Sequence, residues 1–189
     1  MKIAATLTGS WLTCRYDLDE TLHEGGAVYF GSAEQAEGSP LPAALFKLPG
    51  VSAVKVSGSS VSITRNDDED WVGVSRQVAE VLRAHRASGQ AALAKDVRPN
   101  VPTSEEILEK ARKVIDEKIA PALASHGGGI ELVGVEGASI RVKLMGGCQG
   151  CSGARATLRN GVERALRDEI PQLDDVIDVT DHSGGSCQH

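Results

Sequence analysis

Two cysteines, Cys148 and Cys151, are the residues of this sequence best suited to chemistry. They lie two residues apart in MGGCQGCSG, residues 145–153, with glycine on both sides of the pair. Glycine removes side-chain bulk, so backbone N–H groups can approach a thiolate or a bound anion closely. In a reducing compartment, a thiol pair of this spacing predicts metal binding or redox activity.

The sequence around the pair predicts a strand before it and a helix after it. Apolar residues alternate before the pair, at Ala138, Ile140, Val142 and Leu144. Apolar residues recur at helical spacing after it, at Leu158, Val162, Ala165, Leu166 and Ile170. Cys151 then stands at a helix N-terminus, where unpaired backbone N–H groups stabilise a thiolate and lower the thiol pKa.

The pair supplies fewer ligands than a metal centre needs. Zinc and iron–sulfur clusters take about four protein ligands, and the sequence has no second Cys-x-x-Cys and no His-x-x-x-His. Two copies of the chain would supply four thiolates, so the motif favours a ligand shared across a symmetric dimer. A zinc site and a thiol–disulfide redox module remain alternatives, although no aromatic residue stands nearby as in thioredoxin-like sites.

Other candidate ligands receive simpler interpretations. Cys14 is expected to be a half-buried core thiol, and Cys187, near His182 and His189, an incidental thiol in a mobile tail. His126 is interpreted as a cation placed at a helix end, where the helix dipole favours it.

Composition excludes several classes of protein. The chain has 189 residues, 3% aromatic residues and a formal net charge of −6. The charge argues against nucleic-acid binding, and the scarcity of aromatic residues predicts aliphatic cores. No segment is long and apolar enough to span a membrane. The sequence starts at Met1 without an apolar signal segment or an Arg-rich leader, which predicts a cytoplasmic bacterial protein.

The chain is expected to form two small α+β domains, 1–88 and 103–181, followed by a mobile tail, 182–189. Residues 89–102, which include Pro99 and Pro102, are interpreted as a linker.

The first domain is expected to contain a short strand, 28–30, and two short helical pieces divided at 38–40, where Ser39 caps the second piece. A hairpin around 58–59 and a helix from Trp71 to about His85 follow, with the helix preceded by the acid run 67–70.

The second domain is expected to read helix, strand, strand, thiol loop, helix, strand, with the helices on one face of a small sheet. Thr103 and Glu106 form a capping box at the start of the first helix. Pro121 should kink that helix late, and the glycines 127–129 should form the tight turn that ends it. Pro171 stops the second helix before a last strand.

Three stretches of the second half resemble the NifU-like C-terminal domain of Nfu proteins: HGGGIELV (126–133), KLMGGCQGCSG (143–153) and TLRNGVERALRDEIPQLDDVIDV (157–179). The stretch 30–56 is similar to the Nfu N-terminal domain. The resemblance implies a non-enzymatic scaffold or carrier that holds an iron–sulfur cluster, [4Fe-4S] or alternatively [2Fe-2S], between two subunits. It implies Cys148 and Cys151 as the ligands and a homodimer when the cluster is bound. It further implies apo iron–sulfur proteins as clients and an upstream cluster-assembly scaffold as a partner.

Overall fold

The structure is a computed structural model that describes residues 2–8, 12–66, 70–125, 127–146 and 152–180, without the side chains of 152–159. The chain divides into two compact units, Met1–Val101 and Pro102–His189. Each unit combines helices with one antiparallel or mixed sheet, which confirms the predicted α+β class.

In its described residues, the first unit contains a five-stranded antiparallel sheet and two helices. The strands are β1 (Ile3–Leu7), β2 (Thr13–Leu18), β3 (Val28–Phe30), β4 (Val51–Ser57) and β5 (Ser60–Arg65), in the order β1-β2-β5-β4-β3. The helices are α1 (Pro40–Leu45) and α2 (Trp71–Ser88). The strands β4 and β5 form the predicted hairpin, and Gly58 supplies the left-handed backbone of its turn at φ +56°. The predicted helical piece before residue 38 consists of turns instead.

Aliphatic side chains make up most of the core of this unit, as the composition predicts, but Tyr16 and Phe30 are buried in it as well. Val54, Val56, Val61 and Ile63 from the central hairpin are fully buried. Helix α2 begins where the Asp70 carboxylate accepts a hydrogen bond from the Val72 N–H. The rest of the predicted acid run, 67–69, lies outside the described residues.

The segment expected to be a linker packs against the first unit as far as Val101. Ala92 and Leu93 are buried in its core, and the Leu41 N–H donates to the Ala92 carbonyl. The Ser39 hydroxyl, expected to cap α1, instead accepts from the Ala94 N–H at 3.1 Å. Sequence periodicity does not reveal this packing because the apolar residues that make it, Ala92, Leu93 and Val97, follow neither helical nor strand spacing.

Asn100 closes one edge of the first sheet. Its side-chain oxygen accepts from the Tyr29 N–H at 2.7 Å, and its side-chain nitrogen donates to the Tyr29 carbonyl at 2.8 Å. The amide thus pairs with β3 as a neighbouring strand would, which protects an otherwise open sheet edge.

The second unit has the predicted element order. Its elements are α3 (Ser104–Val114), a π-helical turn (Ile115–Ile119), α4 (Ala120–Ala124), β6 (Gly128–Glu136), β7 (Ser139–Gly146), α5 (Ser152–Glu169) and β8 (Asp175–Asp178). Strand β7 lies in the centre of the sheet, antiparallel to β6 and parallel to β8. Among the described helices, none is both long and apolar enough to cross a membrane.

The first helical segment of this unit confirms one prediction and refines another. The Thr103 and Glu106 side chains form the reciprocal capping box. Near Pro121 the helix is interrupted by the π-helical turn that comes before the proline. Proline has no N–H to continue the ladder, and the Ala120 N–H donates to the Ile115 carbonyl, five residues back.

Candidate functional site

The thiol loop joins the end of β7, at Gly146, to the start of α5, at Ser152. Cys148 and Cys151 lie outside the described residues, as do His126 and Cys187. The structure describes the chain on both sides of the loop, namely the end of β7 and the start of α5, which together form the frame of the loop. This frame defines where the loop leaves the sheet and where it enters the helix.

Gly146 ends β7 in a conformation that favours glycine. Its φ is +70°, in the left-handed region. A Cβ built on Gly146 would lie 2.5 Å from the Gly127 carbonyl oxygen and 3.3 Å from the Gly128 Cα. Both the backbone angle and the close approach of another backbone therefore exclude a side chain at this position.

The glycines 127–129 do more than form the expected tight turn. Gly127, at φ +70°, does form a turn, and its N–H donates to the Ala124 carbonyl. Gly128 and Gly129 instead begin β6, where they pair with Gly146 and Met145. Two glycine-rich motifs that are distant in sequence thus meet beside the thiol loop. The expectation of a turn over all three glycines was wrong, because cross-strand pairing is a tertiary contact that local turn signals do not encode.

One face of the second sheet is buried and the other is exposed, as the alternation in β7 predicts. Ile140, Val142 and Leu144 are buried, whereas Lys143 is exposed and Met145 retains 41% of its accessible surface. The last side chain of β7 before Gly146 is therefore apolar and lies on the exposed face.

Helix α5, which follows the thiol loop, is anchored at its far end by Arg167. The Arg167 Nε donates to Glu163 Oε1 at 2.7 Å, and both side chains are largely buried. The two terminal nitrogens of the same guanidinium donate to the carbonyls of Leu173 and Asp174. One cation therefore ties the helix to the turn before β8. The sequence shows Glu163 and Arg167 only as an ordinary i,i+4 pair, so their burial could not be foreseen.

The described part of the chain offers no competing metal site. Within it, no group of three or more His, Cys, Asp or Glu side chains could hold a metal ion. Cys14 is 2% exposed, and burial raises the pKa of its thiol, which keeps it protonated. It is a core thiol, as predicted, and more deeply buried than expected.

Comparison with known proteins defines the family. Residues 3–89 match the family described as scaffold protein Nfu/NifU N terminal, and residues 112–177 match the NifU-like domain. These two matches cover most of the chain and follow the two units of the structure. The chain belongs to the Nfu family, as the resemblance of residues 126–133, 143–153 and 157–179 implies.

Proteins from flies are similar to this chain over most of its length. The proteins named NFU1 iron-sulfur cluster scaffold homolog, mitochondrial, from Drosophila virilis and Drosophila ananassae are each 30% identical over 167 residues. The matches cover 86% of this chain but 56% and 58% of those proteins. The chain thus spans a little over half the length of these relatives.

Two solved structures are also similar. A NifU-like protein from Saccharomyces cerevisiae matches with a TM-score of 0.45 and 14% identity, covering 50% of this chain and 86% of that one. A protein from Staphylococcus aureus matches with a TM-score of 0.38 and 21% identity, covering 43% of this chain and 99% of that one.

Proposed function

We propose that this protein is an iron–sulfur cluster scaffold or carrier, with a non-catalytic role, that binds its cargo through Cys148 and Cys151. Membership of the Nfu family supports the proposal, as do relatives whose names describe iron–sulfur cluster scaffolds. The observation that carries it is the frame of the thiol loop. Strand β7 ends at Gly146, where the close contact leaves no room for a side chain. After the five residues 147–151, the chain enters an 18-residue helix.

The cargo is proposed to be a [4Fe-4S] cluster, with [2Fe-2S] as the alternative, because either takes four protein ligands. Each chain offers two thiolates in this loop, so the cluster would bridge two copies. Separation of the copies would remove half of the ligands. Thiolates of an apo-protein could then replace them one at a time by ligand exchange, without a change in the number of electrons.

The proposed partners follow from this role. Apo iron–sulfur proteins would receive the cluster, and an upstream assembly scaffold would supply it. The first unit is proposed to dock these partners. The cytoplasmic bacterial location stays a prediction, since the fly relatives are named as mitochondrial.

Single substitutions test the ligand assignment. The full chain is reconstituted without oxygen with iron and sulfide, and bound iron is measured for Cys148→Ser, Cys151→Ser and the control Cys187→Ser. Loss of most bound iron in the first two variants, with uptake unchanged in the control, is the expected result. Equal uptake in all three would overturn the assignment, and selective binding of zinc would favour a zinc module.

A further inference from the structure

Thr180 follows β8 in the chain, two residues after its end. Its hydroxyl lies beside Leu144, in the part of β7 that leads to the thiol loop. Thr180 is 7% exposed. Its hydroxyl oxygen accepts a hydrogen bond from the Leu144 N–H at 2.8 Å and lies 3.5 Å from the Leu144 carbonyl oxygen.

Asp178 orients this hydroxyl. Its Oδ1 accepts from the Thr180 N–H at 2.9 Å and also from the Thr180 hydroxyl. With its proton directed at the carboxylate, the hydroxyl presents a lone pair to the Leu144 N–H. The charged acceptor strengthens the arrangement, since hydrogen bonds to ionised groups are stronger than neutral ones.

The side chain of Thr180 extends the hydrogen bonding between β7 and the chain that follows β8. Strand β8 ends at Asp178, and the Val179 N–H still donates to the Val142 carbonyl at 2.8 Å. At the next step along β7, the Thr180 hydroxyl accepts a hydrogen bond from the Leu144 N–H. On the opposite side, Leu144 pairs with Ile130 of β6. The end of β7 is therefore held from both sides, two residues before Gly146.

We infer that Thr180 is a positioning residue for the thiol loop. It acts through Leu144 on the direction in which the chain leaves the sheet at Gly146. A cluster shared by two chains needs four thiolates to converge at once, so freedom at this strand end would weaken retention of the cluster. The inference rests on the proposed function and adds to it a determinant of cluster lifetime.

The test compares Thr180→Val, which removes the hydroxyl at nearly constant shape, with Thr180→Ser, which keeps the hydroxyl. The control is Thr13→Val. Thr13 is 2% exposed in the first unit, and its hydroxyl is 3.1 Å from that of Thr64. Each full-length variant is reconstituted with iron and sulfide without oxygen. Decay of visible cluster absorption after addition of a chelator gives the cluster lifetime, and thermal unfolding is measured in parallel.

Thr180→Val is expected to lose its cluster at least about threefold faster than the wild type. The expected effect is smaller than the roughly 10- to 100-fold loss of metal affinity that follows removal of a group hydrogen-bonded to a metal ligand, because Thr180 acts through Leu144. Thr180→Ser should restore a near-normal lifetime, and Thr13→Val should leave the lifetime unchanged even where it lowers the unfolding temperature.

Two results would overturn the inference while leaving the proposed function intact. One is a wild-type lifetime in Thr180→Val despite a lowered unfolding temperature, which would make the hydroxyl purely structural. The other is an equally short lifetime in Thr180→Ser, which would exclude the hydroxyl as the cause. A wild-type chain that takes up no cluster would overturn the proposed function, and the positioning role with it.

Discussion

Gly146 approaches Gly127 so closely that a Cβ on Gly146 would lie 2.5 Å from the Gly127 carbonyl oxygen. The contact joins the last residue before the thiol loop to the turn that precedes β6. The close contact requires that Gly146 has no side chain, whereas Gly127 is favoured there by its left-handed backbone, since a Cβ built on it would meet nothing within 4 Å.

Replacement of Gly146 by alanine is expected to destabilise the second unit by more than the left-handed backbone alone costs, which is about 1–2 kcal/mol. The extra loss comes from the contact with the Gly127–Gly128 backbone. Gly137→Ala is the matched control, because Gly137 has φ +60° but open space around its Cβ position. Equal losses in the two variants would contradict the role of the close contact.

Unfolding of the second unit can be distinguished from unfolding of the first by spectroscopy, because of where the aromatic residues lie in the sequence. Both tryptophans, Trp11 and Trp71, and all other aromatic residues precede residue 102. Tryptophan fluorescence therefore reports unfolding of the first unit, while far-UV circular dichroism reports both units. Gly146→Ala and Gly137→Ala should shift the circular dichroism transition and leave the fluorescence transition in place.

Replacement of Arg167 by methionine is expected to lower the free energy of unfolding of the second unit by about 3 kcal/mol. The change leaves Glu163 charged and buried and removes the donor to two carbonyls. Glu163→Gln in the same background should recover part of the loss, which a double-mutant cycle in urea would measure. Lys118→Met, which breaks the exposed 2.6 Å pair with Glu169, should have a much smaller effect. A loss in Arg167→Met no larger than in Lys118→Met would contradict the anchoring role.

Leu93→Ala tests whether residues 89–101 belong to the first unit. Removal of a buried leucine side chain is expected to cost about 2–4 kcal/mol, seen as a shift of the fluorescence transition in urea. Leu7→Ala is the control, since Leu7 is 55% exposed. If Leu93→Ala left the transition where Leu7→Ala leaves it, residues 89–101 would behave as a linker after all.

The buried thiol of Cys14 should make the first unit less stable in alkali. Burial raises the pKa of this thiol in the folded chain, so the folded state holds its proton where the unfolded chain, with a pKa of about 8.5, releases it. The stability is therefore full below that unfolded pKa and falls as the pH rises above it. Urea unfolding followed by fluorescence at pH 7 and pH 9.5 should show a larger alkaline loss in the wild type than in Cys14→Ala. Identical losses would show that the Cys14 thiol does not contribute.

Local patterns predicted much of this fold. The capping box of Thr103 and Glu106, the alternation along β7 and the turn at Gly58 each appear where the sequence places them. These features depend on neighbours in sequence, so composition and periodicity are sufficient to find them.

Tertiary contacts account for what the sequence did not reveal. Strands β1 and β2 were not predicted from the sequence. Strand β1 is an edge strand without clear alternation, and β2 pairs both with β1 and with the distant β5. The pairing of Gly128 with Gly146, the burial of Arg167 and the bond from Leu144 to Thr180 join distant segments or depend on burial. The thiol pair itself was recognisable because its chemistry lies in residue type and spacing.

Metal content and native mass of the full chain, purified and reconstituted without oxygen, test the central claim most directly. The account predicts a dimer with about two irons and two sulfides per chain for a shared [4Fe-4S] cluster, or about one of each for [2Fe-2S]. A chain that stays monomeric and metal-free after exposure to iron and sulfide would contradict it.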